Sequence, residues 1–257
     1  MHALWTAASG MEALKFKIDV IANNLSNTQT DGFKRTDAEF TDLLYQYWRK
    51  PGATDNPTGI SHGLGARIAA TNIQHSQGSL TVTNNNLDWA IDGQGFFSVI
   101  DPGNNERLYT RKGAFKLNNN GQIVTADGFV LDPAITIPPG TTNFHIARNG
   151  TVWAEQPGTG LLTELGVVNL TSFPNPAGLE ARGNSMYSQT TSSGNAIQGI
   201  PTQQGLGQIH GRALEASNVQ IVTEMVDLIT TQKAFDTNSK VINVADKMMD
   251  TANNLSR

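Results

Sequence analysis

Five histidines, His2, His62, His75, His145 and His210, are the first residues to test for metal or acid–base chemistry. None stands in an H-x-x-x-H or H-E-x-x-H frame, so each reads as a surface or turn residue. Asp88 and Asp92 flank Trp89 and suggest the paired carboxylates of a glycosidase, two acids facing each other across a sugar. Asp92 belongs to an Asp-Gly turn and Asp88 opens a strand, which makes both structural residues. Gly63-Leu64-Gly65, Gly158-Thr159-Gly160 and Gly205-Leu206-Gly207 each begin like a dinucleotide fingerprint, but none has its third glycine between a strand and a helix. No phosphate-binding G-x-x-x-x-G-K-[ST] and no G-x-S-x-G elbow occurs. With no cysteine in the chain, disulfides, thiolate catalysis, iron–sulfur clusters and Cys-type zinc sites fall away together. No catalytic residue, cofactor or metal is expected.

The elements that carry these residues belong to a folding chain. Apolar residues make up 38% of the 257 and charged residues 16%, too polar for a membrane protein and too apolar for full disorder. No apolar run approaches the roughly 20 residues that span a bilayer, so no lipid-embedded segment is expected. Eighteen Lys and Arg against 22 Asp and Glu give a net charge of −4, without the basic footprint that phosphate backbones demand, and nucleic acid is excluded as a partner. Met1 to Gly10 lacks a basic region followed by a continuous apolar run. No cleaved secretory signal is expected, and any export takes another route.

The clearest periodicity lies at the two ends. Leu4, Ala7, Met11, Leu14, Ile18, Ile21 and Leu25 recur at alternating steps of three and four, an a/d seam that predicts a helix from about Ala3 to Ser26. At the far end, Ser217 with Gln220 reads as a capping box opening a helix that runs to Leu255. Val219, Val222, Val226 and Ile229 begin its seam, and Ala234, Val241, Ala245, Met248, Ala252 and Leu255 continue it. Met225, Leu228, Phe235, Ile242 and Met249 widen the apolar surface beyond one stripe, so this helix should touch more than one neighbour. Both ends also carry the pentapeptide Ala-Asn-Asn-Leu-Ser, at Ala22 to Ser26 and Ala252 to Ser256. The helices could dock on the chain's own middle, but burying the six large seam residues of the first returns less than ordering its two dozen residues costs, so both ends should be mobile in a lone subunit and order when many copies pack side by side.

Between the helices the period shifts toward 2. Leu87–Ile91, Gly95–Ile100, Leu108–Arg111, Ala114–Leu117, Ile123–Thr125, Phe129–Leu131, Phe144–Ala147 and Val167–Thr171 read as short strands, with Asp92-Gly93, Asn120-Gly121, Asp127-Gly128 and Asn149-Gly150 as turns. Trp89, Phe96, Phe97, Tyr109, Phe115, Phe129, Phe144 and Trp153 read as packing residues of this all-β unit. The stretch Gln46 to Gly65 contains Pro51, Gly52, Pro57, Gly59, Gly63 and Gly65 and reads as an extended arm or loop that lies along a neighbour or is disordered. Gln189 to Gly211 reads as a loop returning the chain. The fold class is α+β and discontinuous. Residues 1–30 with 215–257 form a terminal helical, coiled-coil-like domain, 31–71 a connector with the arm, and 72–214 an all-β outer domain.

One stretch carries a longer pattern. Ile18-Asp19-Val20-Ile21-Ala22-Asn23-Asn24-Leu25-Ser26-Asn27-Thr28-Gln29-Thr30-Asp31-Gly32-Phe33-Lys34-Arg35 resembles the N-terminal signature of the bacterial flagellar rod and hook proteins, an Asn-rich helix end followed by Thr-x-Gly-Phe-Lys. Ala3 to Met11, Leu87 to Phe97, Tyr109 to Phe115, Thr125 to Gly128 and Leu214 to Val219 are similar to the same family, whereas residues 140–205 carry none of its motifs. Length and the arm are most similar to the distal rod subunits. The resemblance implies a non-enzymatic subunit of a hollow helical drive shaft crossing the periplasm, with paired terminal helices lining the core, the β domain outside and the arm bracing neighbours. Its implied partners are copies of itself, proximal rod proteins, the hook protein, surrounding ring proteins and the flagellar type III export apparatus. The seam residues of both helices except Ala234 are then the assembly interface, joined by Asn23, Asn24, Asn27, Gly32, Phe33 and Phe235. Asn23, Asn24 and Asn27 hydrogen-bond backbone carbonyls or cap the first helix, and Gly32 supplies a left-handed turn toward the arm. The alternatives are another rod or hook-type axial protein, or a glycan-binding β domain or glycosidase.

Overall fold

The computed structural model describes residues 2–49, 58–141, 143–155 and 161–255. The chain divides into two compact units: Met1–Ser26, Thr36–Ile73 and Gln220–Arg257 form one, and Asn27–Arg35 with Gln74–Val219 the other. The architecture is α+β.

The first unit holds helix α1 (His2–Ser26), helix α2 (Ile221–Leu255) and a two-stranded ribbon built from β1 (Thr36–Asp42), β2 (Tyr45–Arg49), β3 (Ile60–Gly63) and β4 (Ala66–Ile73). Helix α1 packs against α2 on one side and against β1 and β4 on another. The two helices run antiparallel. Asn24 meets Glu224, and fourteen residues further along each helix a Cβ on Gly10 would stand 3.1 Å from Asn238 Nδ2. In that register His2 falls opposite Asp246, and Lys247 to Leu255 runs past the start of α1.

Both helices match their expected spans, but α2 opens differently. Its first turn closes with the Glu224 N–H donating to Gln220 O at 3.0 Å, while Ser217 Oγ accepts only the Val219 N–H, at 3.3 Å, so no Ser217–Gln220 capping box forms. Asn218 Nδ2 donates to Gln74 O at 2.8 Å and the Ala216 N–H donates to Ser79 O at 2.9 Å. These bonds hold the preceding residues in a non-helical path and delay the helix.

The Gln46–Gly65 stretch also differs from a simple loop. β2 pairs β3 from Tyr45↔Gly63 to Arg49↔Ile60, and β1 pairs β4 from Thr36↔Ile73 to Asp42↔Ala66. Tyr45, Tyr47 and Trp48 are strong strand formers, and pairing runs freely where no proline interrupts it. Pro51, Gly52 and Pro57 lie outside the described residues.

The second unit is built on one large sheet in the order Glu180–Gly183, Met186–Ser188, Arg107–Thr110, Phe96–Ile100, Val130–Asp132, Ile123–Val124 and Lys116–Leu117, with Leu170–Ser172 also pairing Phe96–Ile100 and Ile197–Gly199. Smaller ladders join Phe144–Ile146, Thr151–Glu155 and Leu162–Val167; Gln208–Gly211 with Trp89–Asp92; and Ala213–Glu215 with Leu80–Val82. Trp89, Ile91, Phe97, Val99, Phe115, Leu131 and Leu170 are fully buried at its centre. Gly93, Gly121, Gly128 and Gly150 all adopt positive φ, as their turns require. Gln189–Gly211, expected as a loop, contributes two short strands instead; pairing with Trp89–Asp92 and Leu170–Ser172 outweighs a Ser/Thr/Gly-rich composition.

Candidate assembly surface and polar anchors

On α1, Ala7 and Ile21 are buried together with Ala13 and Asn24, and Leu4, Met11, Leu14, Ile18 and Leu25 are half-buried. On α2 the protected stripe is Glu224, Leu228, Thr231, Phe235, Asn238, Ile242 and Ala245, again at alternating steps of four and three. Of the interface residues read from the sequence on this helix, Phe235 and Ala245 lie on this inner stripe. The others turn outward: Val222 is 76% exposed, Val226 53%, Met248 62% and Leu255 83%, with Ile229 and Val241 exposed beside them. Val219 precedes the helix, and the side chain of Ala252 lies outside the described residues. Helix α2 thus has two faces, and three polar side chains, Glu224, Thr231 and Asn238, occupy the heptad positions that meet α1. The outward apolar residues form two groups, Val222, Met225, Val226 and Ile229 at the start of α2 and Val241, Val244, Met248 and Leu255 toward its end, with exposed Lys233, Asp236 and Lys240 between them.

The ribbon exposes Leu44, Tyr45, Tyr47, Trp48 and Ile60. A Cβ added at Gly63 would stand 3.5 Å from the Tyr45 ring, and Gly59 is exposed. Gly65, at φ +118°, approaches Ser9 of α1 so closely that a Cβ would run into Ser9 Oγ.

Asn24 does not cap its own helix. It is 1% exposed; its Nδ2 donates to Thr36 O at 2.8 Å and to Glu224 Oε2 at 3.3 Å, and its Oδ1 accepts the Thr36 N–H at 3.0 Å. Asn27 Oδ1 accepts a bond from Thr30 Oγ1 at 3.1 Å, and Asn23 is exposed on α1. The Phe33 N–H donates to Thr30 O at 3.2 Å. Gly32, at φ +68°, donates its N–H to Glu215 O at 2.8 Å and sits where a Cβ would stand 2.6 Å from Lys112 N.

Sequence reasoning missed the charged centre of the second unit. Glu215 Oε1 accepts Lys34 Nζ at 2.6 Å and the Gly78 N–H at 2.9 Å, and its Oε2 accepts Arg111 Nη1 at 3.2 Å. Lys34 Nζ also donates to Ser76 O and Arg111 Nη2 to Gly93 O, both at 2.8 Å, and the guanidinium stacks 5.4 Å from the Phe96 ring centre. Burial lowers the pKa of both Lys34 and Arg111, and the Glu215 charge opposes that shift. His75 packs edge-on against Phe96 and Tyr187. Burial, then the Lys34 and Arg111 charges, bring its pKa down to about 4, while burial pushes Tyr187 up to about 12.

The matches to known proteins cover the same stretches. The model described as flagella basal body rod protein matches residues 4–34, that of the flagellar hook protein FlgE/F/G D1 domain residues 90–154, and that of the flagellar basal body rod FlgEFG protein C-terminal residues 210–255. The flagellar basal-body rod protein FlgG of Borreliella burgdorferi is 42% identical over 264 residues, covering 100% of this chain and 99% of the relative. The chain belongs to the FlgG family of flagellar basal-body rod proteins. FlgG of Agrobacterium fabrum is 43% identical over 96% of this chain and 97% of its own, and FlgG of Caulobacter vibrioides 41% over 99% of both. FlgG-family membership makes the chain a structural component of the basal-body rod, in line with the resemblance of its end motifs.

Lys34, Arg111 and Glu215 fall one in each of the three stretches matched by the rod-family models. Asp88 and Asp92 of this FlgG-family chain are each engaged by side-chain hydrogen bonds. Asp88 accepts bonds from Thr83 Oγ1 at 2.8 Å and Asn85 Nδ2 at 2.9 Å, and Asp92 from Gln208 Nε2 at 2.9 Å and Gln77 Nε2 at 3.2 Å. Those amide bonds, Gln208 first, hold the Asp92 carboxyl below the usual carboxylate range, the reverse of what a glycosidase proton donor needs.

Proposed function

We propose that this chain polymerises helically into the distal rod, a hollow drive shaft that transmits torque across the periplasm and forms part of the flagellar export channel. The observation that carries the reading is the outward stripe of Val222, Val226, Ile229, Val241 and Met248, on a helix whose other face is already occupied by α1. Two such groups of exposed apolar side chains on one helix call for neighbours, and contacts repeated from copy to copy without ring closure make a filament. Residues 1–30 and 215–257 then form a coiled-coil-like core domain, 72–214 the outer domain, and 31–71 the connector whose ribbon braces adjacent subunits. Leu4, Met11, Leu14, Ile18, Leu25 and Leu255 complete the buried interface in the filament. Proximal rod proteins, the hook protein and ring proteins meet the ends and outside of the shaft. The subunit reaches it unfolded through the flagellar type III apparatus, and its role there is structural.

Val226→Asp and Leu255→Asp test the reading. Both positions are exposed in the single chain, so the purified variants should keep the parent's circular dichroism and melting temperature. In cells they should abolish rods and motility. Motile cells with normal rods from either variant would refute the outward stripe as the assembly surface.

A further inference from the structure

We infer that the buried Asn24–Glu224 pair fixes the axial register of α1 on α2. This inference concerns the chain itself and stands whether or not the outward stripe makes rod contacts.

Apolar heptads alone do not settle a register, because sliding one helix by seven residues brings an equivalent set of a and d positions into contact. Gly10, Lys17 and Asn24 are spaced by sevens on α1, and Asn238, Thr231 and Glu224 are spaced by sevens on α2. The observed register sets Asn24 against Glu224 and Gly10 against Asn238. A one-heptad slide would set Lys17 against Glu224, an ion pair that makes this alternative a real competitor.

The stoichiometry of Asn24 breaks the tie. A side-chain amide has two donors and one acceptor oxygen. The oxygen takes the Thr36 N–H, one donor goes to Thr36 O, and the other goes to Glu224 Oε2. The bonds to β1 fix where the amide sits, so its second donor points at a single place along α2. Both residues are 1% exposed, and any slide strands a buried donor that water cannot reach. A buried polar pair whose hydrogen bonds are met in one alignment alone specifies that alignment at some cost in stability.

The chain has no cysteine, so introduced pairs report unambiguously. One heptad is about 10.5 Å of helix, beyond the roughly 6.8 Å between Cα atoms that a disulfide tolerates. In the full-length chain under mild oxidation, Gly10→Cys with Asn238→Cys should form an intrachain disulfide, and Gly10→Cys with Thr231→Cys or Ala245→Cys should not. Adding Asn24→Leu and Glu224→Leu should keep helical circular dichroism yet let the 10–231 and 10–245 bridges appear. Exclusive 10–238 bridging in that background overturns the inference. Glu224→Gln keeps the acceptor and should hold the parent register; scrambling there would show that this hydrogen bond is not the determinant.

Discussion

Lys34 Nζ and Glu215 Oε1 lie 2.6 Å apart with both side chains fully buried, joining two residues 181 positions apart in the chain. Arg111 completes the cluster from a third segment. The carboxylate thus answers two cations, and backbone groups at Gly78, Ser76 and Gly93 take up further hydrogen-bonding capacity. A buried charge cluster of this kind contributes less by its own attraction than by the penalty for disturbing it.

Glu215→Leu should therefore destabilise the full chain by about 3–5 kcal/mol, because Lys34 and Arg111 remain buried without their counter-charge. Urea unfolding followed by tryptophan fluorescence measures this. The triple change Lys34→Met, Arg111→Leu and Glu215→Leu should recover most of the loss, since no uncompensated charge is left inside. A triple variant as unstable as Glu215→Leu would show that packing, not charge balance, sets the cost.

His75 adds a pH dependence. Its pKa is about 4 in the folded chain against 6.5 unfolded, so between those values the unfolded chain binds more protons. Stability then rises with pH across this window, is complete above about 6.5 and is lost as pH falls through 4. Between pH 7 and pH 5 the histidine should account for about 2 kcal/mol of lost stability, at 1.36 kcal/mol per pH unit. Comparing the parent with His75→Leu in urea at the two pH values isolates it. Equal slopes in the two proteins would remove His75 as the cause.

Gly32 is conformationally required as well as sterically confined. Gly32→Ala places a methyl group 2.6 Å from Lys112 N at a φ of +68°. Gly128 offers the matched comparison: its φ is +90°, with nothing within 4 Å of an added Cβ. Gly128→Ala should cost about 1–2 kcal/mol, the left-handed backbone penalty alone. Gly32→Ala should cost clearly more, because the backbone joining Arg111 to Lys112 must also shift. Thermal melts of both variants beside the parent give the difference directly.

The ends of this chain are legible because one signal, the three-four spacing from Leu4 to Leu25, both forms a helix and defines its packing side. On α2 those two roles separate. Helicity is plain from the sequence, but apolar spacing points to Val222, Val226 and Met248, whereas Glu224, Thr231 and Asn238 hold the positions that face α1. Hydropathy cannot rank a polar residue as buried when its partner lies 200 positions away, as Asn24 does from Glu224. The same separation hides Lys34, Arg111 and Glu215. The family motifs around them are visible, but their meeting is a product of the tertiary fold. The paired strands β1 to β4 escape a reading that weighs proline and glycine as loop formers, because the aromatic residues beside them carry the ribbon.

The division of α2 into two faces yields a paired substitution. Phe235 lies on the stripe against α1 and Val226 on the outward one. Phe235→Ala removes a large ring from a half-buried position and should lower the stability of the dilute single chain by about 2–3 kcal/mol, toward the lower end of core aromatic truncations. Val226→Ala removes exposed methyl groups and gains helix propensity, so its effect on the same chain should lie within about 0.5 kcal/mol. In the assembled state the ranking should reverse in kind: Val226→Ala should weaken contacts between copies and lower rod yield even though the subunit is sound. Melting curves at low concentration, set beside counts of rods in cells, measure both effects. If Val226→Ala destabilised the dilute chain as much as Phe235→Ala, the outward stripe would already be packed within a single molecule, and two faces could not be told apart.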